Sequence, residues 1–206
     1  MPSKLEDLAR SAASPAAFAR GYFDYLKSVL DAVSPAAIEA LVGELEAVRA
    51  EGRTMFIAGN GGSATTATSM ANDLGFDVVK KSGTTVPFRL LALTDSNAVL
   101  TAAANDIGYE QVFVTQLVMH WREGDRLLLI SASGNSPNLI EAAKWVKARG
   151  GRVTSFLGFD GGRLRELSDV VVHVPTVKGE YGPVEDAHLI INHVLAHWFQ
   201  VRLRGS

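Results

Sequence analysis

The chain has 206 residues, 47 % of them hydrophobic and 8 % aromatic, with a formal charge of −2; this excludes a disordered chain and leaves no basic stripe for DNA or RNA. It has no cysteine, which excludes disulfides and thiolate metal sites, so a metal would fall to His, Asp, Glu or amide oxygens. The opening MPSKLEDLARSAAS lacks the apolar core of a signal peptide and no run nears the roughly 20 apolar residues of a bilayer span, so the expectation is a cytoplasmic protein with no membrane or nucleic-acid partner.

In chain order, residues 15–33 place Phe18, Tyr22, Tyr25, Leu26, Val29 and Leu30 at three- and four-residue steps, the stripe of an amphipathic helix, opened by Ser14-Pro15 as N-cap and first-turn proline. Ser34-Pro35 repeats that signal before a second helix carrying Ile38, Leu41, Val42, Leu45 and Val48, which ends at Gly52. From Arg53 onward short apolar runs alternate with helical segments: TMFIAG, RLLALT, RLLLISAS, RVTSFLGF and DVVVHVP. Continuous apolar runs of this kind predict a parallel sheet covered on both faces.

Two strand-to-helix turns carry chemistry. MFIAG runs into NGGSA and a helix, and RLLLI runs into SASGNSPN and the helix LIEAAKWVKARG. Both turns belong at the carboxyl edge of one sheet, where open α/β folds bind ligands. The second presents three hydroxyls and a glycine before a Ser136-Pro137 helix start, and free backbone N–H groups with the helix dipole suit an anion there. Neither turn has the Gly-Lys-Ser/Thr of a nucleotide loop or the spaced glycines of a dinucleotide site. A small phosphate ester fits better than a nucleotide. Ser, Gly and Asn also populate ordinary turns, but two such turns on one sheet edge favour a ligand.

GNGGSA followed by a helix, SASGNS after a strand, GFDGG at 158–162 and VEDAHLIINH at 184–193 resemble the sugar isomerase (SIS) domain and, within it, the phosphoheptose isomerases. The resemblance runs from about Ile38 to the C-terminus. It implies a three-layer α/β sandwich with a five-stranded parallel sheet, flavodoxin-like, as an SIS phosphosugar-binding domain over 38–202 behind an N-terminal helical extension over 1–37. It also implies a homotetramer, an assembly for which the two leading apolar-striped helices offer surface. Carried onto this sequence, Asn60, Gly61, Gly62 and Ser63 would line the sugar phosphate, and Ser131, Ser133 and Ser136 would grip its phosphate. Ala132 stands where the family usually has threonine, and Asp95, within one residue of register, would face the sugar hydroxyls.

Moving a carbonyl between C1 and C2 of a sugar needs a base beside the carbonyl, a proton return to the neighbouring carbon and stabilisation of an enediolate. The phosphoheptose isomerases draw these from a His and a Glu four apart after the first loop and a Gln and a His eight apart near the C-terminus, with zinc among them. Here the four positions read Ser69, Asp73, Glu185 and His193. Asp73, Glu185 and His193 are the candidate catalytic residues and the candidate ligands of one zinc per subunit. Each also has an ordinary reading: a solvated helix acid for Asp73, a first-turn acid for Glu185 and a core histidine for His193. The resemblance implies a ketose–aldose isomerase converting sedoheptulose 7-phosphate to D-glycero-D-manno-heptose 7-phosphate. The altered ligand set keeps two alternatives open, a non-catalytic phosphosugar-binding or replication-initiator-associating module and an isomerase of another sugar phosphate.

Overall fold

The computed structural model describes residues 3–205. Three helices come first, α1 (Lys4–Ser11), α2 (Pro15–Asp31) and α3 (Pro35–Ala50). Five strands follow, β1 (Thr54–Gly59), β2 (Arg89–Ala92), β3 (Arg126–Ser131), β4 (Arg152–Leu157) and β5 (Val170–His173), paired in parallel in the order β2-β1-β3-β4-β5. All five apolar runs are strands. The connections are α4 (Gly62–Met70), a π-helical stretch (Ala71–Asp77) and α5 (Val78–Ser82) after β1, then α6 (Asn97–Asp106) and α7 (Val112–His120) after β2. α8 (Pro137–Lys147) follows β3, α9 (Leu164–Leu167) follows β4, and α10 (Tyr181–Arg202) closes the chain.

Why the runs are continuous rather than alternating is visible in β1. Met55 and Ile57 enter one core with Leu41, Leu45, Val48, Met70 and Phe199, whereas Phe56 and Ala58 enter the other with Leu93, Phe113 and Leu139. Side chains alternate between faces, and both faces are covered, one by α3, α4 and α10 and the other by α6, α7 and α8. The strand order reverses at β1, between β2 and β3. In a doubly wound sheet the connections leave β1 and β3 toward opposite faces at this place, opening a crevice at the strands' carboxyl ends. The two turns singled out in the sequence are the ones that follow β1 and β3.

The leading helices are tied to the domain. Val29 of α2 is buried in the same core as α10, and the Tyr22 and Tyr25 hydroxyls donate to Asp186 and Glu180 at the start of α10. Glu180 also accepts from the Ser3 hydroxyl and the Leu5 N–H, so α1, which the sequence reading left unassigned, is anchored beside that helix start. Ser14 caps α2 through Ala17 N–H, but Ser34 makes no side-chain cap bond. No helix among the described residues is long and apolar enough to cross a membrane.

Candidate active site at the sheet's switch point

The turn after β1 is built on glycines. A Cβ on Gly59 would run into the Ser63 backbone, and Gly61 has φ +56°, in the left-handed region that glycine adopts without strain. Asn60 leaves this turn to form a reciprocal amide pair with Asn138 of α8: Asn60 Nδ2 donates to Asn138 Oδ1 at 3.0 Å, and Asn138 Nδ2 donates to Asn60 Oδ1 at 2.9 Å. Asn138 is fully buried, and Tyr109 adds a third bond by donating to Asn60 Oδ1. The first loop is thereby locked to the helix that follows the second.

The second loop is preorganised by its own serines. Ser131 Oγ accepts from Gly134 N–H at 3.0 Å and Ser133 Oγ accepts from Asn135 N–H at 3.2 Å. Each oxygen accepts, which leaves each hydroxyl proton free to donate. Ser136 makes no cap bond to α8, so its hydroxyl is also uncommitted. The expectation of free backbone N–H groups holds in part: Gly134 and Asn135 use theirs inside the loop, whereas the Ser133 and Ser136 N–H groups have no hydrogen bond among the described residues and stand with the hydroxyls at the positive end of α8. GFDGG serves as the buttress: Leu164 N–H donates to Gly134 carbonyl, Arg163 N–H donates to Asn135 Oδ1, and a Cβ on Gly134 would collide with the Gly161 carbonyl.

Between the loops lies a pocket of about 140 Å³ lined by Asn60, Ser63, Ser131, Ala132, Ser133 and Ser136, with Tyr181 and Glu185 from α10 on its far side. Glu185 packs over Gly62, the first residue of α4, where a Cβ would overlap its carboxylate. It has no hydrogen bond or ion pair among the described residues. Burial, and then the charge of Asp186, raises its pKa above the ordinary carboxylate value. Tyr181, which the sequence reading missed, is placed by edge-on contact of its ring with Phe159 of the GFDGG loop.

Asp73 and His193 form a second locus. α10 runs alongside α4 and the π-helical stretch, so that Gly62 meets Glu185 and, further on, Asp73 meets Asn192 and His193. His193 Nε2 is 3.7 Å from Asp73 Oδ2, with the histidine side chain 60 % exposed and the aspartate 19 %. The expected trio is not gathered. Glu185 and His193 are eight residues apart on a helix, about 12 Å along its axis and roughly 80° out of phase around it, so only His193 reaches Asp73. Ser69 and Asp73 do not share a regular helical face either, because the π-helical stretch begins at Ala71 and Val78 N–H donates to the Asp73 carbonyl, five residues back. Asp95 is exposed, accepts from the Thr68 hydroxyl of α4 at 2.5 Å and does not line the pocket.

The zinc expectation can be weighed on this donor set. Among the described residues no three His, Cys, Asp or Glu side chains are grouped to hold a metal. Asp73 and His193 supply two donors, Ser69 contributes a neutral hydroxyl in place of an imidazole, and Glu185 faces the other pocket. A structural or catalytic zinc takes three or four protein ligands, so these residues of one subunit do not fit one.

Known proteins share the sequence pattern and the fold. The SIS domain profile matches residues 21–158. A phosphoheptose isomerase from Chlorobium phaeobacteroides is 35 % identical over 175 residues, 84 % of this chain and 76 % of the relative. One from Rhodospirillum rubrum is 34 % identical over 162 residues, 79 % of this chain and 83 % of the relative. The solved structure of phosphoheptose isomerase from Neisseria gonorrhoeae superposes with a TM-score of 0.78 at 26 % identity, covering 89 % of this chain and 97 % of that one. On the fold, the two loops and these matches together, the chain belongs to the SIS domain family, among the phosphoheptose isomerases.

Proposed function

We propose that the protein is an aldose–ketose isomerase that interconverts sedoheptulose 7-phosphate and D-glycero-D-manno-heptose 7-phosphate. The observation that carries this reading is the single pocket in which three serines with free hydroxyl protons face an unpaired carboxylate, Glu185, across the switch point of the sheet. The serines of 131–136 hold the phosphate through charge-assisted hydrogen bonds, and the Asn60–Ser63 turn holds sugar hydroxyls. Glu185 takes the proton from C1 of the ketose. The C1–H electrons form the C1=C2 double bond as the C2 carbonyl becomes the enediolate oxygen. The C2 oxygen takes up a proton, the C1 hydroxyl gives one up, and Glu185 returns its proton to C2, which gives the aldose with the C1 carbonyl and the C2 hydroxyl. His193, with Asp73 beside it, handles the oxygen protons at the exposed end of the site, within one subunit or across a subunit contact.

We place the chain in the cytoplasm and in a homotetramer. The support for assembly is the outer face of α10 next to His193, where Val194, Trp198 and Val201 are 56 %, 50 % and 59 % exposed, an apolar strip a monomer would leave in water. The test of function is incubation with sedoheptulose 7-phosphate and the aldose product resolved by NMR. Turnover supports the reading. Binding without turnover, with any of a panel of ketose 6- and 7-phosphates, supports a phosphosugar-binding module instead, which the ungathered ligand set would suit.

A further inference from the structure

Asn192 is fully buried on α10, and its Oδ1 has no hydrogen-bond partner. One turn earlier His188 is equally buried, with no well-aligned hydrogen bond to either ring nitrogen. An amide in an apolar core with an orphaned acceptor is costly, and an aliphatic side chain of the same size would be cheaper there. What the amide gains is one bond: Asn192 Nδ2 donates to Asp73 Oδ2 at 2.7 Å. The carboxylate can only accept, which settles that the amide nitrogen, not its oxygen, faces Asp73. The same Oδ2 is the atom that His193 approaches at 3.7 Å. Asp73 is carried by the π-helical stretch, a backbone that is seldom used and that often marks functional positions. Its other oxygen accepts only from its exposed neighbour Asn72. Among the described residues, Asn192 is therefore the one buried group that fixes where this carboxylate points.

We infer that Asn192 is a positioning residue: its buried amide holds the Asp73 carboxylate at the His193 ring, so that the histidine is presented to substrate in one orientation. The inference rests on the proposed isomerase reading for its kinetic consequence, but not for its geometry. Asn192→Leu fills the same space without the donor. Its turnover number should fall about 10- to 100-fold, the usual cost of loosening a group behind an acid–base residue, with KM nearly unchanged because the phosphate is held at residues 131–136. In an Asp73→Ala background the same substitution should have no further effect on turnover, since residues acting through one another are not additive. Equal losses in both backgrounds would mean that Asn192 supports the fold rather than Asp73, and would overturn the inference. If Asn192→Leu does not fold, Asn192→Ala serves in its place. A crystal structure of the folded variant gives the readout that needs no activity: Asp73 Oδ2 should move beyond 4 Å from His193 Nε2, and an unchanged contact overturns the inference. Wild-type protein inactive on every sugar phosphate would remove the isomerase reading alone, leaving the positioning to be decided by that distance.

Discussion

The strand starts and the candidate site treat their acids in opposite ways. At the amino end the carboxylates of Glu44, Asp125 and Asp169 are all bonded. Glu44 receives Arg126 Nη1 and Arg152 Nη2, both at 2.6 Å; Asp125 accepts from the backbone N–H groups of Thr54 and Arg122; Asp169 accepts from Val153 N–H and from Lys147. In the candidate site at the carboxyl end Glu185 has no partner among the described residues, Asp73 holds one buried amide and an exposed histidine, and the serines keep hydroxyl protons to spare. Paired charges fix the strand starts and do nothing else. Unpaired ones are costly to bury but remain free to take a proton, which suits the carboxyl-end pocket to acid–base chemistry.

The sharpest way to break this contrast is to remove the carboxyl-end groups. His193→Ala and Glu185→Gln should each lower turnover by about 10²- to 10⁴-fold, the range for loss of a general acid or base, while calorimetry shows sugar-phosphate affinity within a few-fold. For Glu185 the pH dependence adds a sign. Burial, then Asp186, raises its pKa, and a base works only when ionised, so activity should rise with pH through a value above the ordinary carboxylate range. Glu185→Gln should abolish that acid limb. A variant with full activity and an unchanged limb would return Glu185 to the role of a first-turn acid.

Next in size is the phosphate loop. Ser133→Glu places a carboxylate among the hydroxyls of Ser131 and Ser136 and should weaken phosphosugar binding by at least about 100-fold, through like-charge repulsion in a partly buried site, with Tm nearly unchanged because Ser133 lies on a loop. Unaltered affinity would make this loop an ordinary turn. The metal content belongs beside it. Protein purified in the presence of zinc should carry well under one ion per subunit by elemental analysis, and chelator should leave turnover unchanged. A full equivalent would mean that subunit assembly gathers donors which one chain keeps apart.

The amino end breaks differently. Glu44→Gln leaves Arg126 with Glu51 as its remaining charge partner and should cost about 2 kcal/mol, less than breaking a fully buried pair because Glu51 and Arg152 are half exposed. Burial alone would raise Glu44, but the hydrogen bonds and charges of Arg152 and Arg126 outweigh it and hold its pKa below the ordinary 4.5. Its stabilisation is therefore complete above that value and is lost as pH falls through the lower folded one. Wild-type and Glu44→Gln denaturation midpoints should differ at neutral pH and converge in acid, and activity per folded molecule should not change.

What could be read from the sequence divides along the same line as the chemistry. The five strands and both loops were legible because their signals are local: apolar runs, glycines where the backbone turns sharply and serines ahead of a helix. Partners distant in sequence were not. Nothing near Asn192 points to Asp73, 119 positions away, and nothing near Asn60 points to Asn138. The π-helical stretch has no local signature, yet it sets the register of Asp73. Nor does the sequence say that, within one subunit, Glu185 sits over Gly62 while His193 sits beside Asp73, so that the three candidate ligands lie at two places along α10. Asp95 was placed by motif order, and motif order does not say which side of α4 an acid will face.

The smallest expected effect concerns Ala132, where family pattern and packing disagree. Restoring the family's threonine would add a hydroxyl at the phosphate loop, and from the sequence alone Ala132→Thr should preserve or modestly tighten binding. The fold adds a cost. Ala132 is 5 % exposed and packs in a small cluster with Phe159 and Val184, while its carbonyl accepts from Gly158 N–H. Phe159 itself has φ +48°, in the left-handed region, and Val184 would also be the first atom group met by a Cβ on Gly158. This corner has little slack, so two added heavy atoms should overpack it by about 1 kcal/mol, the lower end for insertions into a well-packed core. The hydroxyl can recover part of that only by turning into the pocket, where it would add one hydroxyl donor to the three already present. Ala132→Thr is expected to lower Tm by a few degrees and to change phosphosugar affinity by less than about threefold, about 0.6 kcal/mol. A tenfold gain in affinity with Tm unchanged would show that the corner yields, and that the missing hydroxyl, not the packing, was what this chain gave up.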